Sequence, residues 1–135
     1  VFMRIAICDD EKVFRDILKK ELENYAKEFG FDFVYTEFSS GENLLSSDTD
    51  FDLIFMDADK ENYPQYFNII IDKLNTGGII LSDNVLWSGK VIEPVKKDDL
   101  STKALLEYNQ LLKEDKRIET VILPIRDGLT ISRKL

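Results

Sequence analysis

The chain has 135 residues, 44% hydrophobic and 33% charged, which fits one globular unit of about 100–200 residues and excludes a disordered tail. Its net charge of −8 argues against nucleic acid or an anionic membrane as partner, and no apolar run approaches the ~20 residues of a membrane span. The lack of histidine excludes a Ser-His-Asp triad and a His-ligated zinc, and a single cysteine without a basic-apolar leader predicts a cytoplasmic protein.

Residues 3–8 (MRIAIC) form an almost unbroken apolar run closing on Asp9 and Asp10, the pattern of a strand buried on both faces of a parallel sheet. Asp9 or Asp10 then caps a helix over residues 11–29. Its Phe14, Ile17, Leu18, Leu22, Tyr25 and Phe29 recur at three- and four-residue steps as a core-facing stripe, and Gly30 stops it. Residues 31–38 predict a strand, and 39–47 a short helix capped by Ser39 or Ser40 with Glu42 as capping-box partner. Residues 52–57 (DLIFMD) predict a second buried strand with an acidic end. A helix with Pro64 near its first turn follows, runs to about Leu74 and stops at Asn75-Thr76-Gly77-Gly78. Residues 78–82 (GIILS) give a third such strand, ending at Asp83. After an irregular stretch over 84–100, Ser101 or Thr102 caps a helix to about Asp115. Residues 117–123 and 129–135 then pair about the turn 124–128.

Strands alternating with helices predict an α/β fold, a three-layer α/β/α sandwich around a mostly parallel six-stranded sheet, in one domain over residues 1–135. The last strand must run antiparallel, because five turn residues cannot make a crossover. Ligands of such sheets bind outside the carboxyl ends of the strands, where Asp9 and Asp10, Asp57, and Asp83 with Asn84 fall. Clustered carboxylates need a counter-charge, and a hard cation with oxygen ligands, Mg2+ or Ca2+, supplies it. Lys60, three residues after Asp57, adds a cation to that pocket or acts as general base, although a solvated lysine at a helix start is the simpler expectation. Cys8 reads as an inert, buried small hydrophobe, and Trp87 as cover for the core. None of the six glycines forms a nucleotide-binding pattern after a strand, and Asp9-Asp10-Glu11 would repel an anion.

Two resemblances cover different parts of the chain. From Met3 to about Asp57 it resembles the receiver domain of two-component response regulators: MRIAICDDEKVFRDILKKELENY looks like a receiver opening and FDLIFMD like its third strand. That resemblance implies Mg2+ at Asp9 and Asp10 and a phosphoacceptor at Asp57. From Phe51 to Leu135 it is similar to the cation-dependent, S-adenosylmethionine-using O-methyltransferases of the catechol and caffeoyl-CoA type, through FDLIFMDADKENYPQYF, GGIILSDNVLWSGKV, TKALLEYN and LPIRDGLTISRKL. This similarity implies Asp57, Asp83 and Asn84 as metal ligands and Lys60 as the catalytic base. Together the two patterns imply strand order 2-1-3-4-6-5 with strand 6 antiparallel.

The two segments overlap on FDLIFMD, and a step in net charge from −9 over residues 1–59 to +1 over residues 60–135 falls there. The expectation is an engineered chimera, receiver-like over 1–57 and methyltransferase-like over 58–135, without catalysis but keeping a Mg2+ or Ca2+ site. The missing glycine turn argues against S-adenosylmethionine as cofactor. The alternatives are an O-methyltransferase acting on catechol-like hydroxyls and a phosphoacceptor receiver domain. No protein partner is implied beyond a second copy, met over a sheet edge or helix face exposed at the seam.

Overall fold

A computed structural model describes residues 2–8 and 11–135. In chain order it contains β1 (Phe2–Cys8), α1 (Lys12–Phe29), β2 (Asp32–Phe38), α2 (Gly41–Leu45), β3 (Phe51–Met56), a 3-10 turn (Lys60–Asn62) and α3 (Tyr63–Ile70). Then follow β4 (Leu74–Asp83), a 3-10 segment (Trp87–Ile92), α4 (Leu100–Glu114), β5 (Ile118–Leu123) and β6 (Leu129–Lys134). The strands form one sheet in the order β2-β1-β3-β4-β6-β5. Pairs β1–β2, β1–β3 and β3–β4 are parallel, and β6 runs antiparallel to both β4 and β5. The order and the reversed last strand are those the sequence predicts. Among the described residues no helix is long and apolar enough to cross a membrane.

Alternation along the strands sends Ala6, Ile54, Met56 and Ile80 to one face, where Phe67, Ile70, Leu105, Tyr108 and Leu112 from α3 and α4 complete the core. Lys134 pins the far end of this face, its Nζ donating to the carbonyls of Ile71 (2.8 Å) and Leu74 (2.7 Å).

The opposite face differs from expectation. Helix α1 packs chiefly on β1 and β2 and buries none of its residues. Phe14, Ile17, Leu18, Tyr25 and Phe29 are all exposed. The stripe was expected to be core, but a lone helix lying on a sheet shields only the line of contact, and its flanks stay open to water.

Several boundaries also move. Leu74 and the Asn75-Thr76-Gly77-Gly78 stretch, expected to end a helix, lie in β4, where Leu74 pairs with Phe51 across a register shift. Gly78 is required there, since a Cβ would meet the Asn75 carbonyl at 2.8 Å. Helix α2 takes Ser40 as its cap, with Oγ accepting from the Asn43 N–H. The cap of α4 is Asp99 rather than Ser101 or Thr102; its Oδ1 accepts from the Thr102 N–H at 2.9 Å. Glu11 precedes α1 without a side-chain cap, and the expected caps Asp9 and Asp10 lie outside the described residues.

Candidate functional site

Met56 and Ser82 are partners in the β3–β4 ladder, so Asp57 and Asp83 leave the carboxyl edge of the sheet side by side. Strand β1 lies on the other flank of β3, which brings Cys8 to the same rim. After Asp57 the 3-10 turn folds the chain back under this rim and carries Lys60 inward.

Lys60 is 7% exposed, which overturns the expectation of a solvated lysine. A buried ammonium is costly unless its protons are matched, and here three acceptors meet them. Nζ donates to Asp57 Oδ1 at 3.0 Å, to the Asp83 carbonyl at 3.2 Å and to the Tyr63 hydroxyl. The Tyr63 ring also faces the ammonium, with Nζ 4.4 Å from its centroid. Asp57 holds the pair from the solvent side, its side chain 48% exposed.

Beneath the lysine the floor is aromatic. Tyr63 and Tyr108 meet edge to face at 5.2 Å, and both are fully buried. Burial, reinforced by the Asp57 charge, pushes the Tyr63 phenol far above its ordinary range, so it stays protonated and donates to the Asp83 carbonyl at 3.0 Å. Burial likewise pushes Tyr108 up to about 12, and its hydroxyl shares a 2.6 Å hydrogen bond with Ser82 Oγ. At the rim Tyr66 donates to Asp59 Oδ1 at 2.6 Å; that bond first, and burial second, raise its phenol to about 12.

The structure therefore gathers Asp57, Lys60, Asp83 and Asn84, while Asp9 and Asp10 lie outside the described residues. Asn84 takes a left-handed backbone with φ 61°, and its N–H donates to Asp83 Oδ1 at 2.7 Å. Among the described residues no three His, Cys, Asp or Glu side chains cluster as metal ligands. Two carboxylates and an amide remain, and their hard oxygens suit Mg2+ or Ca2+ completed by water or a substrate oxygen. Tyr63 and Tyr108 were missed in the sequence as parts of this site. Spacing three residues after Lys60 was the available signal for Tyr63; Tyr108 arrives from a distant helix.

Two cavities adjoin the rim. One of about 330 Å3 lies between α1 and the sheet, walled by Ile7, Cys8, Phe14, Leu18, Phe55 and Asp57. A smaller one of about 140 Å3 is walled by Leu44, Met56, Ala58 and Tyr66 and shares Cys8, Phe55 and Asp57 with the first. Cys8 is thus exposed at a cavity wall rather than buried as expected. The larger cavity reaches the low end of ligand-pocket volumes. Its volume could take an adenosyl group, but its lining is mixed, with Arg15, Glu21 and Asp57 beside the apolar side chains, and no glycine lines it.

The O-methyltransferase family model matches residues 4–135. The chain belongs to the O-methyltransferase family. Because that match runs across the part that resembles a receiver, one family accounts for both halves, and the comparisons lend no support to a receiver parent or an inactive chimera. A caffeoyl-CoA O-methyltransferase of Nicotiana tabacum is 42% identical over 90 residues, 63% of this chain and 38% of that protein. The match spans little more than a third of the relative's length. The SAH-bound methyltransferase PaMTH1 of Podospora anserina superposes with a TM-score of 0.67 at 25% identity, covering 98% of this chain and 71% of that one. An O-methyltransferase of Bacillus cereus in complex with SAH shares the fold with a TM-score of 0.69 at 21% identity, covering 98% and 63%.

Proposed function

We propose that this O-methyltransferase-family chain transfers a methyl group from S-adenosylmethionine to a hydroxyl of a catechol-like ring with the help of a divalent cation. The observation that carries this reading is the buried Lys60 ammonium between Asp57 and the end of β4, directly under the rim that bears Asp83 and Asn84. Family membership and SAH bound to PaMTH1 support S-adenosylmethionine as donor, against the sequence-based expectation that the cofactor is excluded.

Asp57, Asp83 and Asn84 would hold the cation and, through it, orient the acceptor. When bound, the cation supplies positive charge that favours the ionised hydroxyl, and S-adenosylmethionine supplies a methyl group on a sulfonium. Lys60 would take the hydroxyl proton at Nζ as it leaves the acceptor oxygen. The acceptors around Nζ, namely Asp57 Oδ1, the Asp83 carbonyl and the Tyr63 hydroxyl, would stabilise the ammonium once the proton has moved. Tyr63, kept protonated by burial, holds the Lys60 Nζ in place and leaves the acceptor proton to the lysine.

Titration calorimetry with S-adenosylmethionine, followed by mass spectrometry of a catechol incubated with both and Mg2+, tests the proposal. Saturable binding and a singly methylated product that disappears with a chelator are expected. Absence of both binding and product would overturn it and leave a scaffold that keeps only the rim.

A further inference from the structure

The loop after β4 is held in a conformation that its sequence disfavours. Asn84, Trp87 and Ser88 have φ of 61°, 51° and 53°, in the left-handed region that is unfavourable for a non-glycine residue. Such residues persist only where neighbours enforce them. Here the neighbour is the 124–128 turn of the β5–β6 hairpin. The Gly128 carbonyl accepts from the Val85 N–H at 3.2 Å and the Asp127 carbonyl from the Leu86 N–H at 2.9 Å, while Asp127 Oδ1 accepts from the Ser88 N–H. Gly128 lies so tightly under Leu86 that a Cβ would come within 2.4 Å of its Cγ. On the other side, Asn109 of α4 donates Nδ2 to the Val85 carbonyl at 3.2 Å.

We infer that Asp127 is a positioning residue whose carboxylate, by capping the Ser88 N–H, sets the shape of loop 84–92 and thereby the placement of Asn84 at the acceptor rim. The meaning of that rim rests on the O-methyltransferase reading; the clamp itself does not. Both hydrogen bonds at Asp127 act on one strand exit, so losing the side-chain bond frees the segment that carries three strained residues. A charge-assisted bond of this kind, lost, corresponds to about a tenfold change in local opening or more.

Trp87, the chain's single tryptophan, sits in the loop and reports on it. Asp127→Ala should shift Trp87 emission to the red and speed Ser88 amide exchange about tenfold, whereas Asp127→Asn, which keeps an accepting oxygen without the charge, should show clearly smaller changes in both. Unchanged emission and exchange in Asp127→Ala, or equal loss in Asp127→Asn, would overturn the clamp. Should Asp127→Ala fail to fold, wild-type exchange decides: a Ser88 amide exchanging as fast as open loop overturns the proposal, and a protected one upholds it. In methyl-transfer assays the acceptor KM should rise several-fold in Asp127→Ala while the cofactor KM holds. A fall in kcat alone would overturn the link to the acceptor. A wild-type chain that transfers no methyl would sink the functional reading, and the emission and exchange results would still decide the clamp.

Discussion

Lys60 and Asp83, 23 residues apart, are joined by a 3.2 Å hydrogen bond from Nζ to the backbone carbonyl, which ties the turn after β3 to the end of β4. With the Asp57 and Tyr63 contacts, this makes one charge the keystone of the rim. Breaking a buried pair leaves an unmatched charge, but Asp57 is half open to water and can rehydrate. Lys60→Met should therefore cost about 1–2 kcal/mol of stability, measured by urea denaturation, rather than the larger penalty of a fully buried pair.

Cation binding should depend on both rim carboxylates. Millimolar Mg2+ is expected to raise the Tm of the wild type, because a ligand that binds only the folded state stabilises it. Asp83→Asn and Asp57→Asn should each abolish that rise. A Tm indifferent to Mg2+ in the wild type, together with a higher Tm in Asp57→Asn, would show the rim to be a cluster of repelling acids.

Much of the architecture was legible in the sequence. Strands of a parallel sheet tend to be apolar on both faces, so MRIAIC, DLIFMD and GIILS stand out as almost unbroken apolar runs, and their acidic ends mark the rim. What escaped depended on distant neighbours. The α1 stripe shows which face is apolar but not whether anything covers it, and Phe14 and Ile17 prove exposed. The Asn75-Thr76-Gly77-Gly78 stretch reads as a helix stop, and only pairing with β3 draws Leu74 into β4. Lys60 is a candidate base in the sequence, but spacing alone favours a solvated lysine until Asp83 and Tyr63 close over it. Ser101 and Thr102 are capable caps by residue type, but the helix begins at Leu100, so Asp99 before it takes the cap.

The two faces of the sheet should respond differently to truncation. Phe67 is fully buried in the α3–α4 core, and Phe67→Ala should cost about 3–5 kcal/mol. Phe14 on α1 is exposed, and Phe14→Ala should stay within about 0.5 kcal/mol. Equal losses in chemical denaturation would mean that α1 is packed far more tightly than described.

Tyr108→Phe should leave Ser82 Oγ, wholly buried, without its 2.6 Å partner and cost about 1–3 kcal/mol. Adding Ser82→Ala should recover part of that loss, so a double-mutant cycle should show coupling between the two positions. Additive losses would contradict the bond.

The Asp99 cap gives a pH signature. The Thr102 backbone N–H, first among its causes, holds the Asp99 carboxyl below its ordinary value. A carboxylate depressed in the folded state contributes stability above its unfolded pKa and loses it as pH falls through the folded one. Asp99→Ala should thus lower Tm at neutral pH, and the gap to wild type should close in acid. A gap independent of pH would place the effect elsewhere than in the ionised cap.

The most direct measurement is single-turnover methyl transfer from labelled S-adenosylmethionine to a catechol in Mg2+, comparing the wild type with Lys60→Met. Label should reach the catechol oxygen in the wild type and fall by about 100-fold or more in the variant. Equal transfer by both proteins, or none by the wild type under saturating cofactor, would contradict a lysine-driven O-methyltransferase.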